Sequence, residues 1–224
     1  MPDSCHITVE PVQNRRMMDA FIRFPTDLYR GDPHFVSHLF WERKGFFNAD
    51  KNPLFDFTDV QYLLATDDSG DVLGRITAHI NHRYNDYWDE QTGCFGFFEC
   101  VPRMKVARTL FEKAESWLIE HNMELVRGPF NFSTNEECGL LVDGYDSPPA
   151  IMMPHGKRYY PRMLRRLGYG KAKDLLAFDY DYQGAIPEYL VRFNDRLRQR
   201  TGVTIRMLDT NNFSSEIERA LRVY

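Results

Sequence analysis

The sequence predicts an α/β (α+β) fold on a mixed sheet, and two stretches carry that prediction. Residues 93–131 read as strand, tight connection, long helix, strand, which makes a right-handed parallel crossover. Residues 59–81 read as a β-hairpin, whose arms pair antiparallel. With 43% hydrophobic and 14% aromatic residues, the chain can fill a sizeable core.

Taken in order, Ile7 to Val12 alternates as a first strand. Gln13 to Tyr29 carries Met17, Met18, Phe21, Ile22 and Phe24 at helical spacing, and Pro25 is expected to interrupt that helix. Beyond the turn Gly31-Asp32-Pro33, His34 to Phe47 reads as a second short helix with Phe35, Leu39, Phe40 and Phe47 towards the core. Asp50 to Asp56 is a loop. The hairpin arms Asp59 to Thr66 and Val72 to Asn81 flank a turn at Asp67 to Asp71, and Gly74 marks a bulge. His82 to Thr92 reads as a polar, aromatic loop.

The crossover follows. Cys94 to Cys100 is short and apolar, as a strand buried on both faces should be. From Arg103 to His121 the period becomes helical, with Ala107, Leu110, Phe111, Ala114, Trp117 and Leu118 on one side. Asn122 can cap that helix, and Leu125-Val126 opens a strand that Gly128-Pro129 stops. The helix N-terminus faces outward, so a phosphate-bearing ligand is expected near Pro102 to Val106. Phe130 to Lys157 is long, irregular and polar, which points to function. Pro161 sits in the first turn of a helix to Leu167, stopped by Gly168. Leu175 to Tyr182 reads as the last strand and Ile186 to Arg200 as an amphipathic helix. Val203 to Leu208, then Asp209 to Tyr224, repeats the strand-then-helix pattern of residues 7–29. The expected organisation is a domain over 1–183, a connecting helix over 184–202, and the first strand and helix of a second copy over 203–224, against coincidence of a common pattern.

A net charge of −4 and a pI near 6.0 argue against a protein that holds nucleic acid by bulk charge. No apolar run reaches membrane-spanning length and the N-terminus lacks a secretory plan, so a cytoplasmic chain without membrane contact is expected. Cys5, Cys94, Cys100 and Cys138 form no CxxC pair. Cys94 and Cys100, evenly spaced in one strand, are expected to share a face too far apart to bridge, as free thiols. His34 with His38, and His79 with His82, lack a third ligand, so no metal is expected. Cys138 with His155 invites a nucleophile reading that no local spacing supports; a structural thiol is preferred. Arg162, Arg165, Arg166, Lys171 and Lys173 make a basic patch, a solvated face or one that meets a cofactor phosphate.

The order strand, two helices, hairpin, strand–helix–strand, helix, strand resembles the GNAT-type N-acyltransferase fold over roughly Ile7 to Tyr182. Val60 to Ala65 and Asp71 to Ile76 look like that family's second and third strands, including a Val-Leu-Gly bulge. Val106 to Leu118 looks like the helix after its acyl-CoA loop. Met163-Leu-Arg-Arg-Leu-Gly-Tyr169 with Lys171 to Asp174 looks like its last helix and strand. The long Ser-Thr-Asn-Glu-Glu-Cys-Gly loop and the tail resemble a divergent branch with a second GNAT-like half.

The resemblance implies a mixed, mostly antiparallel twisted sheet around a central parallel unit, with flanking helices. It implies acetyl-CoA or another acyl-CoA as co-substrate, no metal, and an amine on a small-molecule or amino-acid-like acceptor. A homodimer or a second GNAT-like half is the implied partner. The other reading is a catalytically degenerate GNAT-fold binding or assembly module. Two departures stand out. The family's loop uses glycines so that backbone N–H groups approach a pyrophosphate, whereas Arg103 and Lys105 stand there in this chain. The tyrosine that protonates the leaving thiolate falls at Leu164, with Tyr160 one turn earlier on the same face and Tyr159 beside it.

Acyl transfer to an amine needs a polarised carbonyl, a base for the ammonium and an acid for the thiolate. Glu99, ending the central strand, is the first candidate base, with Glu136 and Glu137 as rivals and Tyr160 as candidate acid. Phe98, Cys100, Val101, Arg103, Lys105, Val106 and Ala107 are the cofactor-binding candidates that the resemblance implies. Asn131, Ser133, Thr134, Asn135 and Glu137 are candidates for substrate contact; a loop satisfying its own backbone is the competing explanation.

Overall fold

A computed structural model of the chain describes residues 6–178, 186–201 and 206–223. The chain divides into two compact units, up to Leu175 and from Leu176 onward. The first is built on a five-stranded sheet in the order β1 (Thr8–Pro11), β2 (Thr58–Thr66), β3 (Val72–Asn81), β4 (Thr92–Cys100) and β5 (Leu125–Arg127). The first three pairings are antiparallel and β4 with β5 is parallel. This is the mixed, mostly antiparallel sheet expected, with the crossover helix α4 (Met104–Glu120) joining β4 to β5. The pairing of β2 with β3 shifts register beside Gly74, as a bulge there requires.

Each face of the sheet has its own core. On one face α4 buries Val106, Ala107, Leu110, Phe111, Ala114 and Leu118 against Leu63, Ile76, Ala78 and Phe95. Tyr160, Met163 and Leu164 of α5 (Tyr160–Arg166) join this cluster. On the other face, α1 (Arg15–Leu28) and α2 (Phe40–Phe46) bring Phe21, Ile22 and Phe46 to Leu64, Phe97 and Phe132.

One irregularity in β4 decides which residues face which core. Thr77 pairs with Gly96 and Arg75 with Glu99, so β4 places Phe97 and Phe98 where β3 has Ile76 alone. Phe97 takes a φ of 49°, and side-chain alternation skips a beat. Phe95, Phe98 and Cys100 therefore join the α4 core, while Phe97 joins the other. The expectation that Cys94 and Cys100 share a face fails for this reason: an even spacing across a bulge puts two residues on opposite faces. Cys94, Cys100 and Cys138 are free thiols.

Four further expectations need correction. Pro25 does not interrupt α1, which runs through it. The second helix starts at Phe40 rather than His34, because residues 34–39 are drawn into side-chain contacts: Phe35 stacks on Tyr29 with centroids 4.3 Å apart, and His38 reaches Glu137. His34 and His38 are therefore not one helical turn apart. The expected loop 82–92 holds a helix, α3 (His82–Trp88), whose N-terminus is capped by the Asn81 side chain accepting from Tyr84 N–H. Residues 171–178 form no strand, and Leu175, Leu176 and Phe178 are exposed. Alternation in a sequence supplies a face but not a neighbour to pair with, and β5 is only three residues long. The remainder of that expected strand, and the first half of the one expected at 203–208, lie outside the described residues.

The second unit contains α6 (Glu188–Thr201) and α7 (Phe213–Val223). Glu216, buried, accepts two hydrogen bonds from Arg206 Nη2 at 2.7 and 2.8 Å and one from Arg219. Arg206 to Leu208 have no regular structure. No described helix is long and apolar enough to cross a membrane.

Candidate functional site

Pro25 begins the site. It has no N–H, so the carbonyl of Phe21, four residues earlier, loses its helical donor. Arg75 Nη1 donates to that oxygen at 2.8 Å from mid-β3. The guanidinium carbon lies 4.9 Å from the Phe21 ring centre and 5.8 Å from that of Phe97. Directly across the ladder from Arg75 stands Glu99, turned to this face by the bulge.

Glu99 receives two hydroxyls. Tyr160 donates to its Oε2 at 2.6 Å and Tyr29 to the same oxygen at 2.9 Å. Burial pushes the Glu99 carboxyl up to about 7, against the opposing pull of the Arg75 charge and the two hydroxyls. Burial and the Glu99 charge push Tyr160 and Tyr29 far up, so both stay protonated. Tyr160 oxygen also accepts from Cys100 N–H at 3.0 Å, while Tyr159 donates to the Cys100 carbonyl at 2.6 Å. The end of β4 is thus clamped by two tyrosines from the start of α5.

The bulge is held by Asn131. Its Oδ1 accepts from Phe97 N–H at 2.8 Å, and its Nδ2 donates to Glu137 Oε2 at 2.8 Å. Gly96 lets the two chains meet, since a Cβ there would lie 1.7 Å from the Phe130 carbonyl oxygen. Glu137 Oε1 accepts from Arg43 Nη2 at 3.0 Å and lies 2.9 Å from His38 Nε2. Burial pushes Glu137 up, but His38, Arg43 and Asn131 together outweigh it and hold the carboxyl below its ordinary range.

A cavity of about 550 Å³ opens on this constellation. Arg75, Glu99, Tyr160, Asn131, Glu137 and His155 are among its lining residues. Its apolar wall includes Phe35, Phe97, Phe98, Leu140 and Leu141, and Val36, Ile151, Met152 and Met153 line it while exposed to solvent. Beside it, Asp32 accepts from His155 at 3.3 Å, and Lys157 Nζ stands 4.1 Å over the Tyr29 ring.

Of the catalytic candidates, Glu99 and Tyr160 meet here and Glu136 does not. Glu136 is half-buried, is pushed up by burial, and lies outside the cavity lining. Asn131 and Glu137 reach the cavity; Ser133, Thr134 and Asn135 do not, and Thr134 and Asn135 are exposed. Phe98 lines the cavity. Cys100, Val106 and Ala107 are buried in the α4 core, while Arg103 and Lys105 stand exposed at the start of α4, whose N-terminus no side chain caps. That uncapped turn with two cations suits a phosphate. Cys138 pairs through its backbone with Phe130, and His155 is held by Asp32. Arg75, Tyr29, Arg43 and His38 were missed. A charged residue inside the apolar run Val72-Leu-Gly-Arg-Ile-Thr-Ala78 is the signal that could have found Arg75.

Sheet order, the parallel β4–β5 pair and its crossover helix define a GNAT-type fold. No protein-family model matches the chain. It is 36% identical over 210 residues to Protein YghO of Escherichia coli, covering 92% of this chain and 52% of that one. It is 36% identical over 215 residues to a bacterial ceramide synthase of Caulobacter vibrioides, covering 95% of this chain and 55% of that one. The chain thus spans about half the length of these curated relatives. Among solved structures it is similar to the aminoglycoside antibiotic 6'-N-acetyltransferase AAC(6')-Ih of Acinetobacter baumannii, at a TM-score of 0.45 and 15% identity, over 79% of this chain and 99% of that one. Glucosamine-6-phosphate N-acetyltransferase of Arabidopsis thaliana gives a TM-score of 0.44 at 9% identity, with the same coverage.

Proposed function

We propose that this chain carries the catalytic site of an acyl-CoA-dependent N-acyltransferase whose acceptor is a long-chain amine. The observation that carries the reading is Glu99, a cavity carboxylate poised near 7 between two tyrosine hydroxyls. A base of that strength accepts a proton from the attacking amine, and about half of it is ionised at neutral pH. As the C–N bond forms and the thioester C–S bond breaks, Glu99 takes the amine proton; Tyr160 supplies its own to the departing thiolate and regains one from the Glu99 carboxyl beside it, so both groups end as they began. Arg103, Lys105 and the α4 N-terminus would hold the diphosphate of the acyl-CoA, which brings an acyl group activated as a thioester.

The apolar wall around Leu140, Leu141, Ile151, Met152 and Met153 supports an acceptor with a hydrocarbon chain. So does the name of the Caulobacter relative, since a ceramide is the amide of a long-chain base. A second reading, a GNAT-shaped binding module, is favoured by the cations at the glycine positions. Residues 203–224 as the opening of a second copy also belongs among the proposals.

The test is direct. Incubated with palmitoyl-CoA or acetyl-CoA and dodecylamine, the chain should release CoA thiol and form the amide. Each acyl-CoA should raise the unfolding temperature if it binds. No amide and no thermal shift at millimolar acyl-CoA would discard the enzyme reading.

A further inference from the structure

Arg75 is a cation placed where it costs the protein free energy. Only 8% of its surface is exposed, and burying a charge that touches no counter-charge is unfavourable. Its Nη1 is used by the Phe21 carbonyl, but Nε is buried with no hydrogen-bond partner among the described residues. Glu99, its cross-strand neighbour, accepts hydrogen bonds from the Tyr29 and Tyr160 hydroxyls instead. Burial pulls the guanidinium down to about 10, with Arg43 adding to this and Glu99 opposing, so Arg75 stays charged at neutral pH.

Plugging the Phe21 carbonyl explains one N–H and no more. The remaining donors belong to a side chain that lines the cavity. When Glu99 takes a proton it becomes neutral, and Arg75 then loses its nearest negative charge while facing an apolar wall. A bound molecule that brings an electronegative oxygen restores the balance.

We propose that Arg75 is the specificity-determining residue of the site, and that it binds an oxygen on the acceptor next to the reacting amine. This rests on the acyltransferase reading above. The spacing follows from the sheet: facing residues of antiparallel strands have Cβ atoms about 5 Å apart. A group held by Arg75 is therefore within two or three bonds of one held by Glu99. The oxygen is a hydroxyl, as in a vicinal amino alcohol, or a carboxylate, as in an α-amino acid. A plain alkylamine leaves the guanidinium unpaired.

The experiment compares dodecylamine, the vicinal amino alcohol of the same length and α-aminolauric acid with palmitoyl-CoA and the full chain. A hydrogen bond to a charged group contributes enough to favour at least one oxygenated acceptor by about tenfold or more in kcat/KM. The preferred one names the oxygen. Arg75→Met should bring all three to the dodecylamine level, and Arg75→Lys should keep part of the preference. Equal kcat/KM for the three acceptors in the unaltered protein overturns the assignment, and that comparison needs no variant to fold. Arg75→Met lowering all three by one factor also overturns it, since a structural role predicts that result. Amide formed from all three at equal rates sinks Arg75 alone; no amide from any sinks the acyltransferase reading with it.

Discussion

Glu99 and Glu137 line one cavity, carry the same side chain and are both withdrawn from bulk water, yet their carboxyls move in opposite directions. Glu99 is pushed up to about 7 and Glu137 is held low. Burial raises both. The difference lies in the donors: neutral hydroxyls from Tyr29 and Tyr160 touch Glu99, whereas Arg43 and His38 touch Glu137 directly. Arg75 is near Glu99 but its contact goes to a carbonyl. A charge in contact overcomes desolvation; a charge spent elsewhere does not. In the proposed reaction one carboxylate would exchange protons and the other stay ionised, which is how two like groups come to have two roles.

The largest test of that contrast is removal of each group. Glu99→Gln should cut kcat by about 10²–10⁴-fold with acyl-CoA binding kept, as expected for a lost general base. Glu137→Gln should cost about tenfold or less and act chiefly through KM. Steady-state kinetics on both variants decides, and the reverse order would break the comparison. Next comes pH. The base works deprotonated, so kcat/KM should fall as pH drops through about 7, with unit slope below it. That limb should vanish in Glu99→Gln and survive in Glu137→Gln.

A smaller effect is expected from Asn131→Ala, which strips a partner from both Phe97 N–H and Glu137. Loss of about 2 kcal/mol should lower Tm by about 4–8 °C in calorimetry. Smallest is Tyr29→Phe. It removes a donor to ionised Glu99, so the acidic limb should move to higher pH, by about one unit or less. A shift to lower pH would contradict the assigned hydrogen bond.

Much of this fold could be read from the chain. The α4 face, the hairpin and the end of α5 are local patterns, and local patterns report themselves through periodicity. Glu99 was legible as a candidate because it ends the crossover's first strand, and Tyr160 because it lies one helical turn before Leu164 on the same face. Their meeting was not, because it depends on the two-for-one step at Phe97 and Phe98. A bulge without glycine at the φ-positive position leaves little trace in composition. Arg43 and His38 come from a segment whose helix was expected six residues too early, so their approach to Glu137 was invisible. Glu136 looked equivalent to Glu137 because adjacent residues in a loop carry no period to tell inside from outside.

Pro25 joins α1 to the heart of the sheet. By withholding a proton from Phe21, it leaves an oxygen for which the helix itself no longer competes. Arg75 occupies that oxygen, so the two residues form one thermodynamic unit although they belong to different elements. Pro25→Ala would let the helix reclaim the carbonyl and set the guanidinium adrift. A double-mutant cycle with Arg75→Met should then give a coupling of about 1 kcal/mol or more in stability. The helix flaw and the buried cation would be inherited, or lost, together.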